Sequence, residues 1–242
     1  MNAIILAAGY GTRLRPITKS IPKCMVEING VPILKIWIDK LFNVGIQKIL
    51  INTHYLNAVV EKYVKELKEF KDDKIILNYE KNLLGTAGTL IENINFFGNK
   101  DGLLIHADNF TSDNLHTFIK SHIKNSNIDG RYITMMTFKT DNPENFGIAK
   151  INKNKFVESF YEKQKDYKNG NNANCAIYIL KNNFLKLIKN KNYSDFVKEI
   201  IPLYVNKIKV FKTKNFFLDI GDLNSLKKAI EFDKNIIKNY HD

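Results

Sequence analysis

The sequence predicts an α/β protein with an open, Rossmann-like sheet that is mostly parallel and is covered by helices on both faces. Three observations lead to this prediction. Short apolar runs alternate with segments of helical periodicity through the first half of the chain, which is typical of a parallel sheet. After Asn142-Pro143 the pattern changes to alternating segments separated by polar turns, which predicts a more antiparallel second half. The 242 residues, 44% of them hydrophobic, suffice for one large domain with a substantial core.

The first half is predicted to alternate between strands and helices. Residues 3–7 form a continuous apolar run, which favours a strand buried on both faces, and Gly9 and Gly11 end it. Apolar residues then recur at helical spacing until Gly45, where a helix is expected to stop. The same two patterns repeat up to residue 138. The predicted strands are 3–7, 48–51, 75–77, 102–106 and 132–138, and the predicted helices are 33–44, 56–67, 86–94 and 115–123.

The second half is predicted to hold shorter elements. Residues 146–151 and 156–161 alternate in polarity around Asn152-Lys153-Asn154, which predicts a hairpin. The amphipathic pattern over 223–237 predicts a closing helix. We expect a single domain over 1–242 with two lobes, 1–140 and 141–242. The remaining predictions are a loop at 163–172, strands at 176–180, 208–211 and 216–218, and helices at 184–188 and 196–203.

The chain is strongly basic, but its positive charge is widely distributed. Thirty-seven Lys and Arg residues oppose twenty-five Asp and Glu residues, which gives a formal net charge of +12. Such a surplus of positive charge is typical of proteins that bind phosphate backbones or anionic lipids. The arginines, however, are only Arg13, Arg15 and Arg131, and the lysines are spread from end to end without a nucleic-acid-binding motif. We therefore expect no nucleic acid and no membrane as partner, and keep a basic nucleotide- or nucleic-acid-binding protein as the non-enzymatic alternative.

The cysteines, histidines and hydropathy exclude further classes of protein. Cys24 and Cys175 lie far apart and form no C-x-x-C pair, so neither a disulfide framework nor a cysteine zinc site is expected. The five histidines show no metal-binding spacing and are expected to be non-catalytic. No run of eighteen apolar residues occurs, and the chain opens without a signal-like segment. A cytoplasmic protein is therefore expected.

The loop after the first strand is predicted to carry the chemistry, because ligands of open α/β sheets lie beyond the carboxyl ends of the strands. Residues 9–16 read G-Y-G-T-R-L-R-P and hold two of the three arginines. Leu14 stands where a Rossmann fingerprint needs a glycine, and the Gly-Lys-Ser/Thr of a Walker A loop is absent. A glycine turn that offers backbone N–H groups, followed by the Arg13 guanidinium and the Lys23 ammonium, instead predicts a phosphate site.

Seven blocks of sequence resemble, in their order, those of the sugar-nucleotide pyrophosphorylases, the nucleotidyltransferases that activate sugar 1-phosphates. The resemblance covers nearly the whole chain and is strongest to mannose-1-phosphate and heptose-1-phosphate guanylyltransferases. It implies the nucleotide-diphospho-sugar transferase fold, with a nucleotide-binding half at 1–140 and a sugar-phosphate-binding half at 141–242. The blocks are LAAGYGTRLRPIT (6–18) with PKCM (22–25) and GVPIL (30–34), LGTAGTL (84–90), HAD (106–108), FGI (146–148), EK (162–163), NCAIY (174–178) and DIG (219–221).

The resemblance implies that a sugar 1-phosphate attacks the α-phosphorus of a nucleoside triphosphate in line and releases pyrophosphate. GTP and a mannose-like or heptose 1-phosphate are the favoured substrates, while CTP, dTTP or UTP with another phosphorylated acceptor stay open. Mg²⁺ is the implied cofactor. Because two polyanions must approach each other, cations and alignment matter more here than acid–base chemistry. An inactive relative of the same fold is disfavoured, because all the implied catalytic residues are present.

The resemblance also implies roles for individual residues. Arg13 would neutralise the leaving pyrophosphate, and Lys23 would contact the α-phosphate and the incoming phosphate. Asp108 and Asp219 each follow an apolar strand and would hold Mg²⁺. The implied catalytic residues are Arg13, Lys23, Asp108 and Asp219; the nucleotide contacts are Leu6, Ala7, Ala8, Gly9, Gly11, Thr12, Arg13, Lys23, Gly85, Thr86 and Asp108; and the substrate contacts are Gly147, Glu162, Lys163 and Asn174.

Several of these assignments have structural alternatives. Taken alone, an aspartate that ends a strand, such as Asp108, is more often a turn residue or helix cap than a metal ligand, and Lys163 suits a solvated loop almost as well. Gln164 replaces the family's proline, Ala176 its glycine and Asp222 its Thr or Ser, and these departures bear on the identity of the sugar. The oligomeric state stays open, with a homodimer as one option.

Overall fold

The computed structural model describes residues 1–124, 130–163 and 170–239, and its side chains are described up to residue 233. Thirteen strands lie within these ranges. They are β1 (Asn2–Leu6), β2 (Glu27–Ile28), β3 (Val31–Pro32), β4 (Ile49–Thr53), β5 (Ile75–Tyr79), β6 (Gly102–His106), β7 (Asn109–Thr111), β8 (Ile133–Lys139), β9 (Gly147–Ile151), β10 (Val157–Glu162), β11 (Asn172–Leu180), β12 (Ile208–Lys212) and β13 (Phe217–Asp219).

Seven α-helices and several short turns connect these strands in the described parts of the chain. No helix found there is both long and apolar enough to cross a bilayer. The α-helices are α1 (Ile33–Asn43), α2 (Asn57–Glu66), α3 (Lys68–Lys71), α4 (Gly85–Glu92), α5 (His116–Ile123), α6 (Asn182–Ile188) and α7 (Leu223–Asn239). The 3₁₀ turns are Thr12–Leu14, Ile17–Lys19, Lys23–Met25, Ile94–Phe97, Pro143–Asn145 and Ile201–Tyr204, and a π-helical turn covers Phe196–Ile200.

Nine of the strands form one sheet, in which β10-β9-β11-β6-β1-β4-β5 are neighbours and β8 and β12 extend it beside β11. The first half of the chain supplies its parallel part, because β1 runs parallel to β4 and β6, and β4 parallel to β5. Strand β11 runs antiparallel to β6, β8 and β9, and β9 antiparallel to β10. The predicted combination of a parallel core with a more antiparallel second half is confirmed.

Helices cover both faces of the sheet, as predicted. Successive residues of a strand point to opposite faces, and in β1 Ile5 belongs to one apolar cluster and Ile4 to the other. The first cluster packs against α1, α2, α5 and α7, and the second against α4, α6 and the π-helical turn. The loops that follow β1, β4 and β6 therefore meet at the carboxyl edge of the sheet, between the two helical layers.

Strand β11 begins at Asn172 rather than at the predicted residue 176, because its first residues pair with β8. The register of that pairing shifts between Asn174 and Tyr178. Within this irregular stretch Ala176 adopts a φ of 51°. Such a left-handed conformation costs a residue with a Cβ atom about 1–2 kcal/mol. The strain explains why glycine suits this position in the family that the sequence resembles.

Other local predictions differ from the structure. The predicted helix over 196–203 is wrong: a π-helical turn over Phe196–Ile200 leads into a 3₁₀ turn, and Pro202 lacks the N–H that a continuous α-helix needs. Strands β2, β3 and β7 went unpredicted because two or three residues carry no periodicity. Most of the predicted loop at 163–172, including Gln164, lies outside the described residues.

Candidate active site

Lys23, Asp108 and Asp219 come together at the carboxyl edge of the sheet. Lys23 begins a 3₁₀ turn, Asp108 follows β6, and Asp219 is the last residue of β13. Lys23 Nζ lies 2.5 Å from Asp108 Oδ2 and 3.7 Å from Asp219 Oδ1. Strand β13 pairs with β7, and Ile220 N donates a hydrogen bond of 2.9 Å to the Asp108 carbonyl. Backbone pairing therefore holds together two carboxylates that lie 111 residues apart in the sequence.

The two carboxylates differ in their tendency to ionise. Burial favours a higher pKa for Asp108, but the charge of Lys23 and its hydrogen bond outweigh burial and lower this pKa below its ordinary value. Burial and the nearby charge of Asp108 raise the pKa of Asp219, and Lys23 and Arg13 oppose this only in part. Lys23 alone therefore does not balance the two carboxylates, and Arg13 supplies a second positive charge near Asp219.

Arg13 lies near Asp219, and its positive charge partly opposes the rise of that pKa. Its guanidinium packs on Gly221, where a Cβ atom would come within 3.0 Å of Arg13 Nη2. Asp222 does not add a third carboxylate to the pair, because its Oδ1 accepts a hydrogen bond of 2.8 Å from Ser225 N at the start of α7. Within the described residues, no group of three or more His, Cys, Asp or Glu side chains is arranged to hold a metal ion. A metal here would therefore depend on two carboxylates and on oxygens of the substrates.

A cleft of about 250 Å³, which we call the site cleft, opens beside Lys23 and Asp108. Most of the implied nucleotide contacts line it: Leu6, Ala7, Ala8, Gly9, Lys23, Gly85, Thr86 and Asp108. Gly11, Thr12 and Arg13 do not line it. The sequence did not predict four polar residues that also line it, namely Asn52, Glu80, Thr89 and His106.

Glu80 is a buried carboxylate, 4% exposed, in the wall of the site cleft. Its Oε1 accepts hydrogen bonds from Asn52 Nδ2 (2.9 Å) and Thr89 Oγ1 (2.5 Å), and its Oε2 accepts one from Leu84 N (3.2 Å). Asn52 Oδ1 in turn accepts a hydrogen bond of 2.7 Å from Ala7 N. The described residues give Glu80 no ion pair. This network fixes the end of β1 against the loop before α4, and leaves Oε2 able to accept a further donor.

His106 is the last residue of β6 and lines the site cleft. Its Nε2 is buried and has no hydrogen-bond partner among the described residues. Burial lowers the pKa of His106, so its ring is neutral near pH 7. The sequence predicted no catalytic histidine, and the structure places the His106 ring in the wall of the site cleft.

The start of α4 is supported from the second half of the chain. Ala87 N donates a hydrogen bond of 3.0 Å to the Ser194 carbonyl, and Thr86 Oγ1 accepts one of 2.8 Å from Phe196 N. Gly85 has a φ of 78°, and a Cβ atom there would overlap with the Ser194 carbonyl. The close contact with Ser194 therefore requires a glycine at position 85. The Thr86 hydroxyl is already used as the acceptor of the Phe196 N–H.

The implied sugar-phosphate contacts lie together on β9, β10 and β11. A Cβ atom at Gly147 would overlap with the Phe160 ring and come within 2.6 Å of Glu162 Oε2. Burial raises the pKa of Glu162, although the charge of Lys163 opposes it. Asn174 is engaged locally, since its Nδ2 donates to Tyr178 Oη (2.5 Å) and its Oδ1 accepts from Ala176 N (2.9 Å). Lys163 is exposed at the end of β10.

Both cysteines are free and buried. Burial raises the pKa of the Cys24 thiol to about 12, and it also raises the pKa of Cys175. Neither thiol is therefore a nucleophile at neutral pH.

A sequence profile of nucleotidyl transferases matches residues 2–236, which is nearly the whole chain. The chain belongs to the nucleotidyl transferase family. Mannose-1-phosphate guanyltransferase from Saccharomyces cerevisiae is 30% identical over 230 residues, which cover 91% of this chain and 61% of that protein. Mannose-1-phosphate guanyltransferase beta-B from Xenopus laevis is 28% identical with the same coverages. This nucleotidyl transferase therefore spans about three fifths of the length of the curated relatives that it matches.

The fold of this nucleotidyl transferase is also that of a solved relative. The crystal structure of HddC from Yersinia pseudotuberculosis superposes with a TM-score of 0.76 at 25% identity, and the match covers 95% of this chain and 98% of that one. HddC has also been solved as a complex with GMP-PN, with the same similarity to this chain.

In this nucleotidyl transferase, Gly9→Ala is expected to weaken nucleotide binding and to leave stability unchanged. A Cβ atom at Gly9 would meet no atom within 4 Å. Because Gly9 lines the site cleft, the added methyl group would project into the cleft without straining the fold. Gly85→Ala is the matched comparison and should lower the free energy of unfolding by roughly 1–3 kcal/mol through overlap with Ser194. Thermal unfolding and nucleotide titration of both variants check this expectation. Equal destabilisation by the two substitutions would contradict it.

Proposed function

We propose that this protein transfers the guanylyl group of GTP to a sugar 1-phosphate and releases pyrophosphate, with Mg²⁺ as cofactor. The observation that carries the proposal is the site cleft itself. A buried carboxylate acceptor, Glu80, lies in its wall, and the cation Lys23 with its carboxylate pair adjoins it. The guanyltransferase names of the curated relatives and the GMP-PN complex of HddC support the same nucleotide.

Glu80 supports guanine over the other bases on hydrogen-bonding grounds. Guanine presents two adjacent N–H donors, at N1 and N2, which suit a carboxylate. Uracil and thymine present one N–H between two carbonyl oxygens, and the oxygens would face the carboxylate unfavourably. Cytosine and adenine place a ring-nitrogen acceptor next to their single amino donor. Glu80 Oε2 accepts one hydrogen bond, from Leu84 N, and can accept another, so a base that brings N–H donors to it is preferred over a base that brings a carbonyl oxygen.

The cations of the first half suit the triphosphate. Lys23 carries a compact, mobile charge and would follow the α-phosphate as the bond to pyrophosphate breaks. Arg13 presents a planar fork of donors, which suits the oxygens of the leaving pyrophosphate. Backbone N–H groups of the glycine-rich loop would add donors to the phosphates. The reaction is an in-line displacement that needs no covalent nucleophile in the protein.

Asp108 and Asp219 fit a magnesium ion. Carboxylate oxygens are ligands that Mg²⁺ prefers, and Mg²⁺ commonly binds through one or two carboxylates together with substrate phosphates. Burial and the charge of Asp108 raise the pKa of Asp219, and a divalent cation at this place would oppose both effects. When bound, the ion would neutralise phosphate charge. Lys23 would then be released from its ion pair with Asp108 to contact phosphate.

The second half would hold the sugar 1-phosphate. Gly147 lets Glu162 pack against the backbone of β9, and the Glu162 carboxylate can accept hydrogen bonds from sugar hydroxyls. Exposed Lys163 offers a cation for the phosphate. Asn174 would contact the sugar only if its hydrogen bonds to Tyr178 and Ala176 were broken. We assign mannose-type or heptose-type 1-phosphates as substrates, and cytoplasmic nucleotide-sugar synthesis for glycans as the process.

The experiment that tests the proposal compares four triphosphates. Pyrophosphate release is measured with GTP, CTP, dTTP or UTP, each with mannose 1-phosphate or a heptose 1-phosphate and Mg²⁺. We expect GTP to give the highest kcat/KM, and Glu80→Gln to lower the value for GTP roughly tenfold to a hundredfold, which corresponds to the loss of one buried polar contact. Glu92→Gln, an exposed substitution on α4, is the matched control. A higher kcat/KM for another triphosphate, or an undiminished preference for GTP in Glu80→Gln, would contradict the assignment.

A further inference from the structure

Asn109 lies at the centre of a buried hydrogen-bond network beside the carboxylate pair. It follows Asp108 directly, it is 4% exposed, and it pairs with Asp219 where β7 meets β13. Asn109 Nδ2 donates a hydrogen bond of 2.6 Å to the Cys175 carbonyl on β11. Trp37 Nε1 on α1 donates one of 2.7 Å to the Asn109 carbonyl. Asn109 therefore connects both carboxylates of the site to a strand of the second half.

The Cys175 carbonyl belongs to an irregular stretch of β11. The register of β11 on β8 shifts between Asn174 and Tyr178, and Cys175 lies within this shift. The next residue, Ala176, has the left-handed φ of 51°. A buried carbonyl needs a donor, and here a side chain from the first half of the chain, that of Asn109, supplies one.

This stretch of β11 also joins the two halves of the site. Just before it, Ala173 pairs with Ile148 of β9, the strand that begins at Gly147. Just after it, Ile177 pairs with Ile105 of β6, the strand that leads to the carboxylate pair. The position of the stretch therefore fixes how the proposed sugar-phosphate site lies relative to the carboxylates.

We propose that Asn109 is a positioning residue for the transfer reaction, an inference that rests on the proposed function. Its amide holds the irregular stretch of β11 in place, so that the sugar 1-phosphate is aligned with the α-phosphate of the nucleotide. A misplacement of about 1 Å can slow a reaction roughly a hundredfold, so this alignment affects the rate. Asn109 does not line the site cleft, and the affinity for the nucleotide should therefore be spared.

The test compares Asn109→Ala with the wild type in two measurements. Pyrophosphate release with GTP, Mg²⁺ and varied mannose 1-phosphate or heptose 1-phosphate gives kcat/KM for the sugar 1-phosphate. Calorimetry with the α,β-methylene analogue of GTP gives a Kd that does not depend on turnover. We expect Asn109→Ala to lower kcat/KM roughly tenfold to a hundredfold and to keep this Kd within about twofold of the wild-type value.

Asn2→Ala is the matched control. Asn2 Nδ2 also donates a hydrogen bond to a distant backbone carbonyl, that of Phe96 (2.8 Å), but Asn2 lies at the end of β1 that is remote from the site cleft. The same truncation of an asparagine there should leave both kcat/KM and Kd at their wild-type values.

Two further readouts separate positioning from loss of the fold. Trp37 is the only tryptophan of the chain, and its partner is a backbone carbonyl that alanine retains, so its fluorescence should be unchanged in Asn109→Ala. Ala176→Gly added to Asn109→Ala should restore kcat/KM about threefold, because glycine adopts the left-handed conformation without strain and the stretch then needs less support.

An unchanged kcat/KM in Asn109→Ala, beside a wild type that turns over, would overturn the inference. An equal loss of analogue binding would also overturn it, since Asn109 would then support the site as a whole. So would the same loss in Asn2→Ala, or a double variant with no recovery. A wild type that turns over none of these substrates would instead contradict the proposed function, and the inference with it.

Discussion

Replacement of Lys23 by alanine is expected to lower kcat at least about a hundredfold, the scale on which removal of one electrostatic contact to the transition state acts. Lys23 is the cation that faces both Asp108 and Asp219, and it is placed to follow charge on the α-phosphate. Steady-state rates of pyrophosphate release at saturating GTP and sugar 1-phosphate measure the effect. KM for GTP should change less than kcat, because the contact strengthens as the bond to pyrophosphate breaks.

The same substitution should also alter stability in a metal-dependent way. Without Lys23 the two carboxylates face each other with little compensation, so the unfolding temperature should fall in the absence of Mg²⁺ and recover when Mg²⁺ is added. Lys19→Ala is the matched control, because Lys19 is exposed four residues earlier in the chain. A Lys23→Ala enzyme with the kcat of the Lys19→Ala control would remove Lys23 from the mechanism.

Asp219→Asn is expected to abolish most activity while it raises stability. Burial and the charge of Asp108 raise the pKa of Asp219, so the folded protein favours its protonated form. Protonated Asp219 therefore stabilises the fold relative to ionised Asp219. This stabilisation is complete below the ordinary pKa of an aspartate and is lost as pH rises through the raised pKa. At pH 7 the ionised carboxylate therefore destabilises the fold, and an amide of the same shape removes that cost.

The expected rise in unfolding temperature for Asp219→Asn is modest, on the order of 2 °C. The Asp219 side chain is 34% exposed, so solvent screens its charge. The loss of kcat should be at least about a hundredfold, since the substitution removes a proposed ligand of Mg²⁺. The wild-type unfolding temperature should rise with Mg²⁺, and that of Asp219→Asn should rise much less. Asp222→Asn is the comparison that keeps Asp219 and changes a carboxylate engaged at the start of α7. Retention of the full Mg²⁺ response by Asp219→Asn would contradict a metal at this residue.

Much of the fold could be predicted because its signals are local. The buried strands β1, β4 and β6 are continuous apolar runs, and α1 and α2 follow helical spacing, so each is recognisable in a short window. Elements whose form depends on distant partners were missed. Strand β7 exists because β13 pairs with it from more than a hundred residues away, and the early start of β11 depends on β8.

The residues of the candidate site differ in the same respect: some lie in local sequence motifs, and others are recognisable only from contacts distant in the sequence. Arg13, Lys23, Asp108 and Asp219 lie in recognisable motifs, and the structure brings these four residues together. Glu80 and Asn52 carry no motif, although each is a polar residue at the end of an apolar strand, which is a usable signal. Their role depends on a hydrogen bond between residues 28 positions apart, which no local pattern shows.

The most direct measurement of the central claim is a product balance. The protein is incubated with GTP, Mg²⁺ and mannose 1-phosphate whose phosphate oxygens are labelled with ¹⁸O, and products are quantified by mass spectrometry. We predict equal amounts of pyrophosphate and GDP-sugar, with all the label in the GDP-sugar and none in pyrophosphate, because the sugar phosphate attacks the α-phosphorus. Labelled pyrophosphate, transfer of the γ-phosphate to the sugar, or pyrophosphate release that does not depend on the sugar 1-phosphate would contradict it.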